Sequence, residues 1–215
     1  MKDSLTLQDA LPLAEKLAAD LEAANDAITA LDAQMGDGDL GVTCRLGMKA
    51  ALEAVPTVAD GSLDAVLMKA GMAFNSAGAS TYGALVATGA MRAAKYAKDN
   101  GLAAWDLAAL AGALKAAAQG IEQRGKAARG EKTLLDALWP AIEALEAAQP
   151  EGKSLGDALT EAAKAAQAGA EATIPLKSKF GRAAWLQDKT VGVQDPGATV
   201  VATVMAALAA YVAGA

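Results

Sequence analysis

Apolar residues recur three and four positions apart through nearly every long segment of the chain: Leu17, Leu21, Ala24, Ile28 and Leu31; Leu107, Leu110, Leu114, Ala118 and Ile121; Leu134, Leu135, Leu138, Ile142 and Leu145. That spacing draws one apolar stripe along each of a series of helices, and no stretch alternates apolar and polar residues as a half-buried strand would. The chain must therefore fold by packing helices on helices. Its hydrophobic residues make up 53% of the sequence and its aromatics only 4%, so the stripes are built from alanine and branched aliphatics, which suit closely spaced helices.

Start and stop signals give eight expected helices, at 6–32, 41–54, 62–75, 80–99, 103–124, 133–148, 154–172 and 197–213. The breaks "AVPTVADGS", "KDNG", "QPEGKS" and "QDPG" carry caps or stops. None is long enough for a flexible interdomain linker. The expectation is one all-α domain over residues 1–215, an antiparallel bundle or barrel. The longest stretch without helical periodicity, "ATIPLKSKFGRAAWLQDKTVGVQDPG", marks an ordered loop of the kind that carries function.

Composition removes several classes of function. A formal net charge of −6 with scattered basic residues argues against nucleic acid as a partner. One cysteine, Cys44, allows no internal disulfide, and "MKDSLTLQDA" lacks the apolar run of a signal peptide, so the expected location is cytoplasmic. Residues Pro196 to Ala215 carry no charge and approach the length of a bilayer span, yet their Ala, Gly and Thr content and the missing basic flank favour a helix buried in protein over a membrane span. The chain has no histidine, which excludes a Ser-His-Asp triad, His-ligated zinc and phosphohistidine chemistry on this chain.

Against this background "LDAQMGDGDLG" stands out, with Asp32, Asp37 and Asp39 on a glycine-rich turn. Two carboxylates about 4 Å apart repel by roughly 4 kcal/mol at an effective dielectric near 20. Three gathered together call for a cation, and ligation by oxygen alone suits Mg²⁺ or Ca²⁺. An EF-hand fails, because the twelfth position counted from Asp37 is Met48 rather than glutamate. A solvated Asp-Gly turn explains the same spacing without a metal. The stretch "NSAGASTYGAL" offers Ser80, Thr81 and backbone N–H groups at a helix start, a ready anion site or simply a close helix contact. Arg182 in "GRAAW" can clamp a phosphate, and Asp195, Pro196 and Gly197 open the last helix, although a salt bridge and a Pro-initiated helix account for them equally. Together these pieces read as metal plus phosphates on a helical scaffold.

In "LDAQMGDGDLG", "GASTYG", "RGKAARGEKTLLDALWP", "GRAAWLQDK" and "VGVQDPGAT", taken in that order, the chain resembles the L subunit of dihydroxyacetone kinases over nearly its whole length. The resemblance implies an eight-helix antiparallel barrel with a nucleotide, ADP or ATP, at one end. It places two Mg²⁺ ions on Asp32, Asp37 and Asp39, the phosphates beside Leu40, Gly41, Val42 and Thr43 with Ala79, Ser80 and Thr81, and the adenosine beside Gly125 and Leu134. Arg182, Asp195, Pro196 and Gly197 complete that site, with Arg182 adding to the stabilisation of the transferring phosphoryl group. It further implies a phosphotransferase acting on an alcohol group of dihydroxyacetone or a related small ketose, which a separate K-type subunit holds through a histidine. The phosphoryl donor is then either exchangeable ATP or tightly held ADP recharged by a phosphotransferase-system protein. The family usually has His where this chain has Leu40 and often Asn where it has Thr43, and its segment after Gly78 is longer. A reading of another class fits the same metal motif: a nucleotide-sensing module that binds a regulator.

Overall fold

The computed structural model describes residues 2–58 and 61–214. Ala59 and Asp60, within the expected break "AVPTVADGS", lie outside the described residues. Nine α-helices are present among those described: α1 (Ala10–Ala23), α2 (Asn25–Met35), α3 (Leu40–Ala54), α4 (Leu63–Ala77), α5 (Thr81–Asp99), α6 (Leu107–Gly125), α7 (Leu135–Ala148), α8 (Leu155–Ala172) and α9 (Pro196–Ala213). Short 3₁₀ segments lie before α1 (Leu7–Asp9), after α3 (Val55–Val58) and between α8 and α9 (Arg182–Thr190), the last broken by a kink at Gln187. The β-type pairing seen among the described residues is one isolated bridge between Leu5 and Trp105.

Each helix from α3 to α8 packs on the next in sequence, and α1 packs on both α9 and α3. The ring therefore closes with eight helices, and the short connections make neighbours antiparallel. The ninth helix, α2, corrects the expectation of one continuous helix over 6–32. Ala24 sits at φ −87°, ψ −4°, off the helical values, and the chain turns there before Asn25 and Asp26, whose side chains compete with helical backbone bonding. Hydrogen bonds from the Ala24 N–H to Asp20 O and from the Ile28 N–H to Ala24 O, each 3.0 Å, carry the chain through the bend.

The core is mostly alanine. Ala158, Leu159, Ala162, Ala166 and Ala170 of α8 are fully buried against Ala137, Ala141 and Leu145 of α7 and against α9. Each buried Leu or Ile contributes about 1.5–3 kcal/mol. The alanines contribute less individually but let the helices approach. The closest approach to another helix's backbone is at Gly169, where an added Cβ would lie 2.2 Å from the Asp136 carbonyl oxygen. Pro140 of α7 lacks the N–H that would otherwise bond that carbonyl four residues back. The freed carbonyl faces the bare Cα of α8 instead. α9 is long and apolar enough to cross a membrane by length and composition, and 61% of its apolar window is buried in the barrel.

Candidate functional site

In an antiparallel ring, alternate connections share one end. The α2–α3, α4–α5, α6–α7 and α8–α9 connections meet around a cavity of about 360 Å³, within the size range of small-molecule sites. Asp32 comes from the last turns of α2 and Asp37 and Asp39 from the turn into α3. Gly38 makes that turn possible at φ +73°, a left-handed conformation that side chains resist. One oxygen from each of the three carboxylates lies within 4.8 Å of the others. The Leu40 N–H donates to Asp32 Oδ2 at 3.0 Å and fixes the first carboxylate. Arg182 pairs with Asp37 and stands 3.8 Å from Asp39 Oδ2, so its guanidinium offsets part of the repulsion among the three. The donor set is all oxygen, with two of its three residues exposed, and suits a hard, partly hydrated cation such as Mg²⁺.

Behind the carboxylates the cavity changes character. Ala79, Ser80 and Thr81 border it at the start of α5, where Ser80 Oγ accepts the Gly83 N–H at 3.0 Å as a helix cap. Gly125, Leu134, Pro196 and Gly197 line it further in, together with Tyr82, Leu85, Ile121 and Leu135, which form an apolar wall. Of the residues expected at the site, Gly41, Val42 and Thr43 do not face the cavity. Gly41 is pressed against α2, where a Cβ would meet Thr29 Oγ1 at 2.2 Å, Val42 points outward, and the Thr43 methyl packs towards Gly78. In a helix the three point in different directions, so proximity to the Asp cluster in sequence does not carry them into the cavity. The apolar wall was indistinguishable from core in the sequence, because lining and packing positions share one period.

Asp195 caps α9, its Oδ2 accepting the Ala198 N–H at 2.7 Å, and its own N–H donates to Thr173 Oγ1 at 2.8 Å. Burial pushes its pKa from 3.8 up to about 7, and the nearby Asp136 adds to the rise, while the Ala198 and Gly197 N–H groups and the Lys132 ammonium oppose it. Between those two values the folded chain holds a proton that the unfolded chain has released. Stability therefore falls as pH rises through that window. Asp195→Asn keeps the capping oxygen and abolishes this slope, so relative to the wild type the variant's melting temperature should rise between about pH 4 and about pH 8. A difference between the two proteins that does not vary with pH would contradict the assignment.

Lys132 is the residue that the sequence did not single out. It lies in "GEKTLLDA" just before α7, is 1% exposed, and adopts φ +62°. Its Nζ donates to the carbonyls of Thr173 (2.9 Å), Leu176 (3.1 Å), Thr190 (2.8 Å) and Val193 (2.5 Å). Burial lowers its pKa, while Asp195 and Asp136 counter that shift. Asp136 holds the turn from below, accepting the N–H groups of Gly130 at 2.5 Å and Thr133 at 2.7 Å.

The fold and cavity place the chain in a class of helical kinase domains. It superposes with TM-score 0.72 and 27% identity on the crystal structure of the dihydroxyacetone kinase from C. freundii in complex with AMP-PNP and Mg²⁺, covering 98% of this chain and 35% of that one. The DAK2 domain model matches residues 34–210. The chain is 33% identical over 182 residues to the PEP-dependent dihydroxyacetone kinase, ADP-binding subunit DhaL, of Escherichia coli K12, which spans 85% of this chain and 86% of that protein. It is also 36% identical over 180 residues to the L-erythrulose 1-kinase of Mycolicibacterium smegmatis, covering 83% of this chain but 31% of that longer protein. The chain belongs to the DAK2 domain family, and within it to the L-subunit type of dihydroxyacetone kinase.

Proposed function

We propose that this chain is the nucleotide- and Mg²⁺-binding subunit of a small-ketose kinase and acts as a single cytoplasmic domain with α9 as a barrel helix. The observation that carries this reading is the placement of three carboxylates within 4.8 Å of one another in a cavity that also has an apolar wall of Tyr82, Leu85, Ile121, Leu134 and Leu135. A nucleotide has the same polarity, charged at its phosphates and flat and largely apolar at its base. Asp32, Asp37 and Asp39 would hold two Mg²⁺ ions, which neutralise charge on the phosphates and on the transferring phosphoryl group. Ala79, Ser80 and Thr81 would border the phosphates. Tyr82, Leu85, Ile121, Gly125 and Leu134 enclose the nucleoside side, and Asp195, Pro196 and Gly197 close the floor.

Arg182 stands beside the carboxylates and would stabilise charge on the phosphoryl group as it moves. With Asp32, Asp37 and Asp39 as ligands, none of the three would be free to act as a base, and the proton of the acceptor hydroxyl would pass to a group of the partner. That partner is a K-type subunit holding dihydroxyacetone or a related ketose. The donor is ATP, or ADP recharged by a phosphotransferase-system protein, as the word "PEP-dependent" in the name of the E. coli relative suggests.

A screen of small ketoses tests this, using the purified chain with its cognate K-type subunit and either ATP or phosphoenolpyruvate plus phosphotransferase proteins. A phosphorylated ketose that appears only when both chains are present is the expected result. Nucleotide binding without transfer from either donor would favour the nucleotide-sensing module instead.

A further inference from the structure

The segment from Thr173 to Asp195 carries Arg182 at its outer end, and its 3₁₀ portion lies against α2. None of its large apolar side chains is fully buried: Trp185 is 86% exposed and Val191 is exposed as well, while Leu176, Phe180, Leu186 and Val193 are half-buried. What closes it is polar. The Gly192 N–H donates to Ile174 O at 2.8 Å, the Ser178 N–H to Thr190 Oγ1 at 3.0 Å, and the Asp195 N–H to Thr173 Oγ1 at 2.8 Å. At the centre of these clasps sits the Lys132 ammonium, bonded to two carbonyls from the outgoing arm, Thr173 and Leu176, and two from the returning arm, Thr190 and Val193.

We infer that Lys132 is a positioning residue for nucleotide binding: its buried ammonium cinches both arms of the 173–195 segment and so sets Arg182 over the carboxylate cluster. An ammonium has three donors, and here they are shared among four carbonyls at the two ends of the segment, the C-cap of α8 (Thr173), Leu176, the end of the 3₁₀ stretch (Thr190) and Val193. Removing the ammonium takes from the Leu176 and Val193 carbonyls the donor that ties them to this turn, and leaves the buried Thr173 and Thr190 carbonyls with one local bond each, from the Leu176 N–H at 3.0 Å and the Val193 N–H at 3.4 Å, so the link between the two arms is lost. The same turn supplies Lys132 itself, Thr133 and Leu134 to the cavity wall. One residue thus ties the apolar wall of the site to the loop bearing its cation. The inference rests on the proposed nucleotide site, with Arg182 acting on the phosphates.

The test compares wild type, Lys132→Met, Arg182→Ala and the double variant by calorimetric titration with Mg-ADP and by amide hydrogen exchange of the full chain. Lys132→Met should speed exchange across residues 174–193 while the barrel helices stay protected. It should weaken Mg-ADP binding about tenfold, the scale of one charge-assisted contact. In the Arg182→Ala background the further loss should be less than about threefold, because the contact being positioned is already gone. A merely structural lysine would give the same loss in both backgrounds, and that result would overturn the inference, as would unchanged exchange in the segment. If the Met variant does not fold, Lys132→Gln, which keeps two N–H donors and buries no charge, is read by the same criteria. If the wild type itself binds no Mg-ADP, the functional reading fails, and the exchange data alone then decide whether Lys132 holds the loop.

Discussion

Asp37→Asn should lose Mg²⁺-dependent nucleotide binding by about two orders of magnitude or more, equivalent to about 2.7 kcal/mol, with the helical fold intact. The side chain is exposed, packs against nothing in the core, and lies in a cluster whose oxygens are within 4.8 Å of one another. On the proposed reading the substitution would take a ligand from the cation, and it leaves no cavity. The apo protein keeps or slightly gains stability, because relief of repulsion from Asp32 and Asp39 offsets the loss of the exposed pair with Arg182, and such pairs contribute about 0–1 kcal/mol. Equilibrium dialysis with labelled ADP at fixed Mg²⁺, together with a thermal melt followed by circular dichroism, separates the two effects. Unchanged affinity with an unchanged melt would remove Asp37 from the site.

The largest effect on stability is expected at Gly169. In an ordinary helix interior, Gly→Ala stabilises by about 1 kcal/mol. At Gly169 the new methyl would lie 2.2 Å from the Asp136 carbonyl oxygen and 3.0 Å from the Ala137 Cα. Both are backbone, so no rotamer change relieves the overlap and α7 and α8 must separate. Overpacking of this kind costs about 1–3 kcal/mol or more, which exceeds the propensity gain. We expect a net loss of about 2 kcal/mol and a melting temperature lower by about 4–8 °C, given the scaling for domains of this size. Gly89→Ala in α5 is the matched control. There the nearest atom is Ile121 Cδ1 at 3.0 Å, a terminal methyl that can rotate away, so this variant should melt at or above the wild-type temperature. Equal effects of the two substitutions in calorimetry would contradict the account of the α7–α8 contact. Because the Asp136 side chain holds Gly130 and Thr133, Gly169→Ala should also weaken nucleotide binding although it lies outside the cavity.

The barrel was readable because its signal is repeated: each apolar stripe independently specifies a helix, and short connections leave few ways to arrange eight of them. The break at Ala24 was hidden because the stripe from Leu17 to Leu31 runs through it without a change of period. The carboxylate cluster was readable because its members are near one another in sequence and linked by glycines. Lys132 was not, since its acceptors lie 41 to 61 residues further along the chain and its left-handed backbone has no glycine or asparagine to announce it. Leu40 occupies the position after the last aspartate and divides its roles: its N–H fixes Asp32 while its side chain packs into a small cluster with Leu21, Ile28, Cys44 and Val200. The backbone contribution at that position is therefore independent of which side chain stands there.

On the proposed reading, cation and nucleotide share one site at the open end of the barrel. Its most direct test is calorimetric titration of the wild-type chain with ADP, once in Mg²⁺ and once in excess chelator. Saturable binding to one site per chain in Mg²⁺, falling by about a hundredfold or more when the cation is withdrawn, is the predicted result. Binding of equal strength in both buffers, or none in either, would contradict it.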